Sequence, residues 1–333
     1  GQRLPLLSKL VEDALQICSQ HLGSLNHEDI DRDSSYPRMT QANWDHFLQG
    51  YYRVVHEGAE LVLSEAQRER CQTLLRCLGE HLPQLDMEGV CNVWVLKPGA
   101  KSRGEGVVCL TQLKEVLQLV GSCKALSGPP KDWVVQKYVE RLLPIFNTKF
   151  DIRQWFLVTN WSPLTVWFYR DSYLRFCSQP FSLSHLDSAG HLCNVSIQRH
   201  YRQTQNLHPQ LPRDQIWSSR QFQAYLAQMG RADAWQQVIV PGMKAAVLGA
   251  LRSAQELVSF RKGSFELFGA DFIIDKDCQP WLLEINVNPT MAPSAVVTRR
   301  LCAAVQRDTL RVVIDHRDNP ASSTGAFELI YKE

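Results

Sequence analysis

Residues 267–290 limit the possible folds more than any other stretch. Phe268–Ile274 and Pro280–Val287 are apolar and β-prone, and the polar segment Asp275–Gln279 between them is turn material, so the pair reads as a β-hairpin. Three oxygen-bearing residues interrupt these runs: Asp271, Glu284 and Asn286. Glu284 and Asn286 are two apart and share a strand face. With the turn centred on Asp277–Cys278, Asp271 falls opposite Glu284 on that face. Two carboxylates and an amide oxygen then converge, a hard donor set that suits Mg²⁺ carrying substrate phosphates. The alternative is a half-buried hairpin with a polar outer face, and a one-residue slip in register would remove the convergence. That alternative explains poorly why acids break two apolar strands at facing positions.

The chain of 333 residues is long enough for one large core or two to three lobes. Its 44% hydrophobic and 21% charged content is ordinary for a globular protein. A net charge of +2 does not argue for bulk nucleic-acid binding, so an acidic partner must be met by a local patch. Gly1–Leu10 does not read as a signal peptide, and no apolar run approaches the ~18 residues of a membrane span. Ten cysteines without a CxxC pair point to reduced, mostly buried thiols in a cytosolic protein, not to a disulfide framework or a zinc site.

The opening third reads as helical and offers no chemistry. Residues 4–22 are amphipathic, a second helix follows Thr40, and a third follows Ser64, where Ser-Glu-Ala-Gln makes a capping box. Leu82–Glu88 reads as a connector. The character changes at Val90. Two β runs, Val93–Leu96 and Val107–Leu110, flank Lys97-Pro-Gly-Ala-Lys-Ser-Arg-Gly-Glu-Gly. In such a loop Gly104 and Gly106 let backbone N–H groups approach an anion, while Lys97, Lys101 and Arg103 add positive charge. It is not a Walker loop, because no Gly-Lys-Ser/Thr closes it. By itself the loop also fits a common basic surface turn, and Glu105 must point away from any phosphate. A helix is expected over Thr111–Gly121.

Trp133–Glu140 is a β run whose end would offer backbone groups to a purine edge. From Lys149 onward, alternation puts Lys149, Asp151 and Arg153 on one strand face, and Phe150, Ile152 and Gln154 on the other. The charged row suits either a solvated ladder or a bracket around a sugar hydroxyl and a phosphate. Leu157–Val158 and Leu164–Tyr169 continue an antiparallel sheet, Arg170-Asp-Ser reads as a turn, and Tyr173–Phe176 carries Arg175. His191–Gln198 reads as a short segment with Asn194 and Ser196 on one face. Helices are expected over Ser218–Met229, Trp235–Phe260 and Ser294–Ile314, the last carrying Arg299, Arg300, Arg307 and Arg311.

The ordered set is far more specific than its members. A lysine strand with a glycine loop, then Gln136-Lys-Tyr-Val, then Lys149-Phe-Asp-Ile-Arg, then Asp271 and Glu284-Ile-Asn-Val-Asn-Pro resembles the ATP-grasp fold, and more narrowly the tubulin tyrosine ligase-like family. The resemblance runs from about residue 40 to the C-terminus. Asn160–Asp171, His191-Leu-Cys-Asn, Val240-Pro-Gly-Met-Lys-Ala-Ala and Gly325-Ala-Phe-Glu-Leu bring it nearest to the glycylase branch, the initiating monoglycylases in particular.

The resemblance implies an α+β fold in which two antiparallel-sheet lobes with flanking helices enclose an ATP cleft. It divides the chain into a helical region over 1–89, a lobe over 90–135, a second lobe over 136–315 and an extension over 316–333. A further segment ahead of these helices is implied as well, leaving the native length open. Lys97, Arg103, Gly104 and Gly106 would hold phosphates. Gln136, Lys137, Tyr138 and Val139 would line the adenine pocket, and Lys149 and Asp151 would reach the nucleotide. Cys193 and Asn194 would meet its phosphate end, and Asp271, Glu284 and Asn286 would hold Mg²⁺. Arg153 and Arg175 would grip an acyl phosphate, since arginine binds phosphate and carboxylate bidentately. Arg103, Ser196 and Lys262 would face the protein substrate.

The implied reaction is ATP-dependent coupling of glycine to glutamate side chains of acidic tubulin tails. It is expected of a monomer on cytoplasmic microtubules and in the cilium or axoneme, without nucleic acid or membrane. A glutamylase or tyrosine ligase of the same family, a small-molecule carboxylate–amine ligase and a non-catalytic microtubule-binding module are the competing readings.

Overall fold

The computed structural model describes residues 4–25, 39–99, 104–124, 132–201, 207–259, 261 and 263–333. The described chain parts into two compact units, one of residues 1–94 with 111–113, the other of residues 95–110 with 114–333. The first unit is built on three helices: α1 (Leu4–Leu25), α2 (Gln41–Val55) and α3 (Glu65–His81). Local signals set two of their starts. The Thr40 hydroxyl accepts from Asn43 N–H, and the capping box at Ser64 forms with Gln67, satisfying N–H groups that the first helical turn leaves free. Val11, Leu15 and Leu78 are buried between them. Within the expected connector, Leu85–Glu88 forms one further helical turn, α4.

The second unit carries the chemistry and contains two sheets. In the smaller, β1 (Trp94–Pro98) lies between β2 (Val108–Leu110) and β3 (Trp133–Lys137). Between β2 and β3 runs α5 (Leu113–Lys124). The larger sheet has β4 (Phe150–Trp161) at its centre, flanked by β5 (Leu164–Phe176) and by β7 (Glu266–Ile274). β6 (Ile216–Ser218) and β9 (Phe327–Lys332) add to β5, and β8 (Pro280–Val287) closes the other edge. Every pairing in this sheet is antiparallel.

The period-2 alternation of β4 divides the core in two. Phe150, Ile152, Phe156 and Val158 pack under α8 (Ser219–Gln228) and α9 (Val240–Ala254). Trp155 and Leu157, on the opposite face, pack under α10 (Val296–Leu310). That second face is therefore apolar at one end and carries Lys149, Asp151 and Arg153 at the other. The charged end is where the site forms.

Two expectations need correction. Arg170-Asp-Ser is not a turn: β5 runs through it. Phe168 pairs with Phe156 and Ser172 with Gln154, so four steps on β5 match two on β4 and the extra residues form a bulge. The buried Gln154 amide donates to Tyr169 C=O at 2.5 Å, satisfying a carbonyl that the bulge removes from the ladder. The segment expected over His191–Gln198 is helical instead: α6 (Ser188–His191) and α7 (Val195–Gln198) are single turns, with Asn194 at the α7 N-cap. A strand-like shared face for Asn194 and Ser196 does not exist there.

A candidate ligand cleft on the sheet face

The hairpin forms over the expected residues, and its register answers the question the sequence left open. Asp271 pairs directly with Glu284, and Gly269 with Asn286, so all three oxygen-bearing side chains gather on one face. The Asn286 amide nitrogen lies 3.4 Å from Asp271 Oδ2 and 3.2 Å from Glu284 Oε1.

The adjoining strands add two arginines. Arg153 on β4 pairs across the ladder with Asp271, and Asp151 pairs with Arg175 on β5. Arg153 Nε and Nη2 donate to the two Asp271 oxygens at 2.5 and 3.0 Å. Arg175 Nε and Nη2 donate to Asp151 at 2.7 and 2.6 Å, and the same Nη2 lies 2.9 Å from Asp271 Oδ2. All four residues are buried, so two acids and two guanidiniums form a charge-balanced network of bidentate pairs. Burial opposes the Asp271 charge, but the two guanidiniums outweigh it and hold the carboxyl below the usual carboxylate range. Space for Arg153 comes from Gly269, where a Cβ would stand 3.0 Å from Arg153 Cδ.

A cavity of about 250 Å³ opens over this network. Of the residues singled out from the sequence, Lys97, Gly104, Gln136, Lys137, Tyr138, Val139, Lys149, Asp151, Cys193, Asn194, Asp271, Glu284 and Asn286 line it. Gly106 does not, although its φ of +76° matches that of Gly104. Arg153 and Arg175 lie behind the carboxylates they bind, and Arg175 instead lines a neighbouring cavity of about 200 Å³ with Cys193, Arg199 and Arg213. Ser196 is half-buried and lines neither cavity. Lys101, Arg103 and Lys262 lie outside the described residues.

Charge in the cavity is uneven. Lys97 Nζ donates to Leu283 C=O at 3.1 Å and lies 3.9 Å from Glu284. Burial lowers Lys97 below the ordinary lysine range, against the pull of Glu284 and Asp271. Burial raises Glu284, and the neighbouring Asp271 charge raises it further. Two carboxyls pressed together, with an amide beside them, are the donor set a hard divalent cation would relieve, so the residues fit one. Among the described residues, no group of three or more His, Cys, Asp or Glu side chains converges as a metal cluster. Lys149 is the main uncompensated charge. It is buried, and its ammonium contacts are Tyr138 Oη at 2.9 Å and His191 C=O at 2.7 Å, with no carboxylate within salt-bridge distance among the described residues. A buried cation without an acid partner is a receptor for an anion.

Gly104 closes one side. A Cβ there would meet Ile197 Cδ1 at 2.5 Å and Asn194 Oδ1 at 2.9 Å, so only glycine lets this backbone approach Asn194. Sequence reasoning assigned no role to His191 or to the Leu283 carbonyl. His191 opens the His191-Leu-Cys-Asn stretch that carried part of the resemblance, but no role was read for it, and a main-chain carbonyl leaves no mark on residue type.

A small sheet with a glycine turn, facing a buried cation and a carboxylate pair on a large antiparallel sheet, defines an α+β, ATP-grasp-like protein with an anion-receiving cleft. Residues 24–321 match the tubulin-tyrosine ligase family, and the chain belongs to that family. It is 57% identical over 98% of its length to mouse "Tubulin monoglycylase TTLL3", covering 35% of that protein. It is 56% identical over 98% of its length to the human protein of that name, covering 42% of it. Identity to mouse "Protein monoglycylase TTLL8" is 47% over 99% of the chain and 40% of the relative. The chain thus spans well under half the length of these curated relatives. Among the described residues, no helix is long and apolar enough to cross a membrane.

Proposed function

We propose that this chain carries the catalytic centre of an ATP-dependent ligase that couples glycine to glutamate side chains of tubulin tails. The observation that carries the reading is the cavity itself. A buried, acid-free lysine and a glycine turn stand on one side of a carboxylate pair, in a chain of the tubulin-tyrosine ligase family whose named relatives are monoglycylases.

In this reading the γ-phosphate of ATP passes to a substrate carboxylate, giving an acyl phosphate. The glycine amine attacks the acyl carbon and gives up a proton, the C–N bond forms as the acyl C–O bond breaks, and phosphate leaves carrying the former carboxylate oxygen. No enzyme nucleophile is needed; catalysis is positioning and charge neutralisation. Lys149 and Lys97 bind phosphate oxygens, the backbone at Gly104 approaches them, and Gln136–Val139 hold the base. Glu284 and Asn286, with Asp271 behind them, would hold Mg²⁺, which would supply charge neutralisation at the phosphates. Arg175, reaching both Asp151 and a second cavity lined by Arg199 and Arg213, orients the carboxylate to be activated. The substrate assignment places the protein on the microtubule cytoskeleton, cilia included.

The test is incubation with microtubules, ATP, Mg²⁺ and labelled glycine, glutamate or tyrosine in separate arms. Glycine incorporation that vanishes with tail-less tubulin is expected. Label from glutamate or tyrosine but not glycine overturns the amino-acid assignment, and no ATP-dependent label in any arm overturns the ligase.

A further inference from the structure

His191 is buried at the end of α6, in the wall of the cleft, and nothing in the reaction outlined above uses it. Its contacts fix its protonation state. Nε2 lies 2.8 Å from His185 C=O and 3.0 Å from Ser182 C=O. Carbonyls only accept, so Nε2 carries a proton. Burial, and then the charge of Lys149, push the imidazole below its ordinary pKa, so at neutral pH the ring is neutral and Nδ1 is a bare acceptor. The Tyr138 hydroxyl, 2.7 Å away, must therefore donate to Nδ1. Its oxygen is left to accept from the Lys149 ammonium at 2.9 Å, and lysine can only donate. The His191 main-chain carbonyl takes a second Lys149 N–H at 2.7 Å.

The hydrogen bonds run in one direction, from lysine to phenol to imidazole to the carbonyls of the 182–185 loop. An ammonium has three N–H bonds. Two are taken by Tyr138 and His191, and the third remains for whatever occupies the cavity. The imidazole ring is held at its edges by Tyr138 and Phe181, each with a ring-centroid separation of 5.5 Å. The turn beneath is pinned as well, because Gln198 Nε2 donates to Leu192 C=O at 2.5 Å and the Asp187 carboxylate caps α6 at Gly190 N–H.

We infer that His191 is a positioning residue for the nucleotide: through Tyr138 it orients the buried Lys149 ammonium so that one N–H is left for a phosphate oxygen. Without the Nδ1 acceptor, the buried phenol proton loses its partner. The phenol then turns, and Lys149 loses one of the two contacts that aim it. This rests on the reading that the cavity receives a nucleotide.

Asparagine and glutamine at position 191 separate the two ends of the ring. His191→Asn can place its amide oxygen where Nδ1 was and gives up the contact with the 182–185 loop. His191→Gln reaches toward the loop carbonyls and gives up the acceptor for Tyr138. Isothermal titration with ADP, with melting temperature followed in parallel, reads the difference. The Gln variant is expected to bind ADP about tenfold more weakly, as for loss of support to a charged donor, and the Asn variant within about twofold of the parent. Tyr138→Phe is expected to match the Gln variant, and the double variant to be no weaker than either single. In turnover the loss should appear in KM for ATP, with KM for glycine unchanged.

Retained affinity in the Gln variant with loss in the Asn variant would make His191 a strap for the loop and overturn the proposal. So would ADP binding by Tyr138→Phe equal to that of the parent, a measurement that stands even if both His191 variants unfold. Absence of ADP binding by the parent protein overturns the nucleotide reading itself, whatever the variants do.

Discussion

The carboxylates of the hairpin face each other across one ladder, yet the structure gives them different jobs, and the difference is measurable without substrate. Asp271 is 2% exposed and accepts from two guanidiniums. Asp271→Asn removes one negative charge from a balanced set of two acids and two arginines, leaving a buried guanidinium short of a partner. Breaking a buried pair in this way costs about 3–5 kcal/mol. At about 2–4 °C per kcal/mol for a domain of a few hundred residues, the melting temperature falls by about 6–20 °C. The Glu284 side chain is 38% exposed and its nearest cation, Lys97, is 3.9 Å away. A pair that open to solvent is worth about 0–1 kcal/mol, and burial together with Asp271 already opposes the Glu284 charge. Glu284→Gln is therefore expected to leave the melting temperature within about 3 °C of the parent, while ligation is lost. The assay is thermal denaturation of both variants in EDTA at pH 7, so that no metal contributes. Equal melting temperatures for the two variants, or a larger fall for Glu284→Gln, would refute the assignment of Asp271 to the structural network.

Further outcomes follow from the same contacts. The Asp271 carboxyl is held below its ordinary range, so its contribution is fully present above the unfolded value of about 3.9 and is lost as pH falls through the lower folded value. The gap in melting temperature between the parent and Asp271→Asn should stay constant from pH 7 to about 5 and narrow below about 4; widening on acidification would contradict it. Lys149→Met keeps the stem and removes the charge, and since no acid among the described residues pairs with that charge the fold should survive while ADP binding measured by titration is lost. Gly104→Ala forces a residue with a side chain into φ +76° and drives its Cβ against Ile197 and Asn194. The strained backbone alone costs about 1–2 kcal/mol, and KM for ATP should rise as Asn194 is displaced.

What the sequence made legible was local. Alternation and turn composition placed the strands of the hairpin over Phe268–Ile274 and Pro280–Val287, and its stereochemistry then put Asp271 opposite Glu284. The helix starts at Thr40 and Ser64 were equally readable, because a cap is made by side chains within three residues of one another. Alternation along Phe150–Gln154 separated the charged face from the core face, and the ordered motifs along the chain carry the resemblance to the family.

Tertiary structure decided what depends on partners far along the chain. The resemblance gave Arg153 and Arg175 as grips for an acyl phosphate; that strand pairing also sets each against a buried acid was not readable, since Asp271 lies 118 residues from Arg153. The polar Arg170-Asp-Ser read as a turn because polarity marks both turns and bulges; only the register against β4, with the Gln154 amide filling the gap, distinguishes them. His191 belongs to a stretch that marked the resemblance, but nothing local showed its contacts, which are two carbonyls on one side and a tyrosine 53 residues away on the other. Sequence periodicity fixes which way a side chain points along its own strand or helix. Which charge it meets there is set by the pairing of strands, as with the two arginines and two acids of this site.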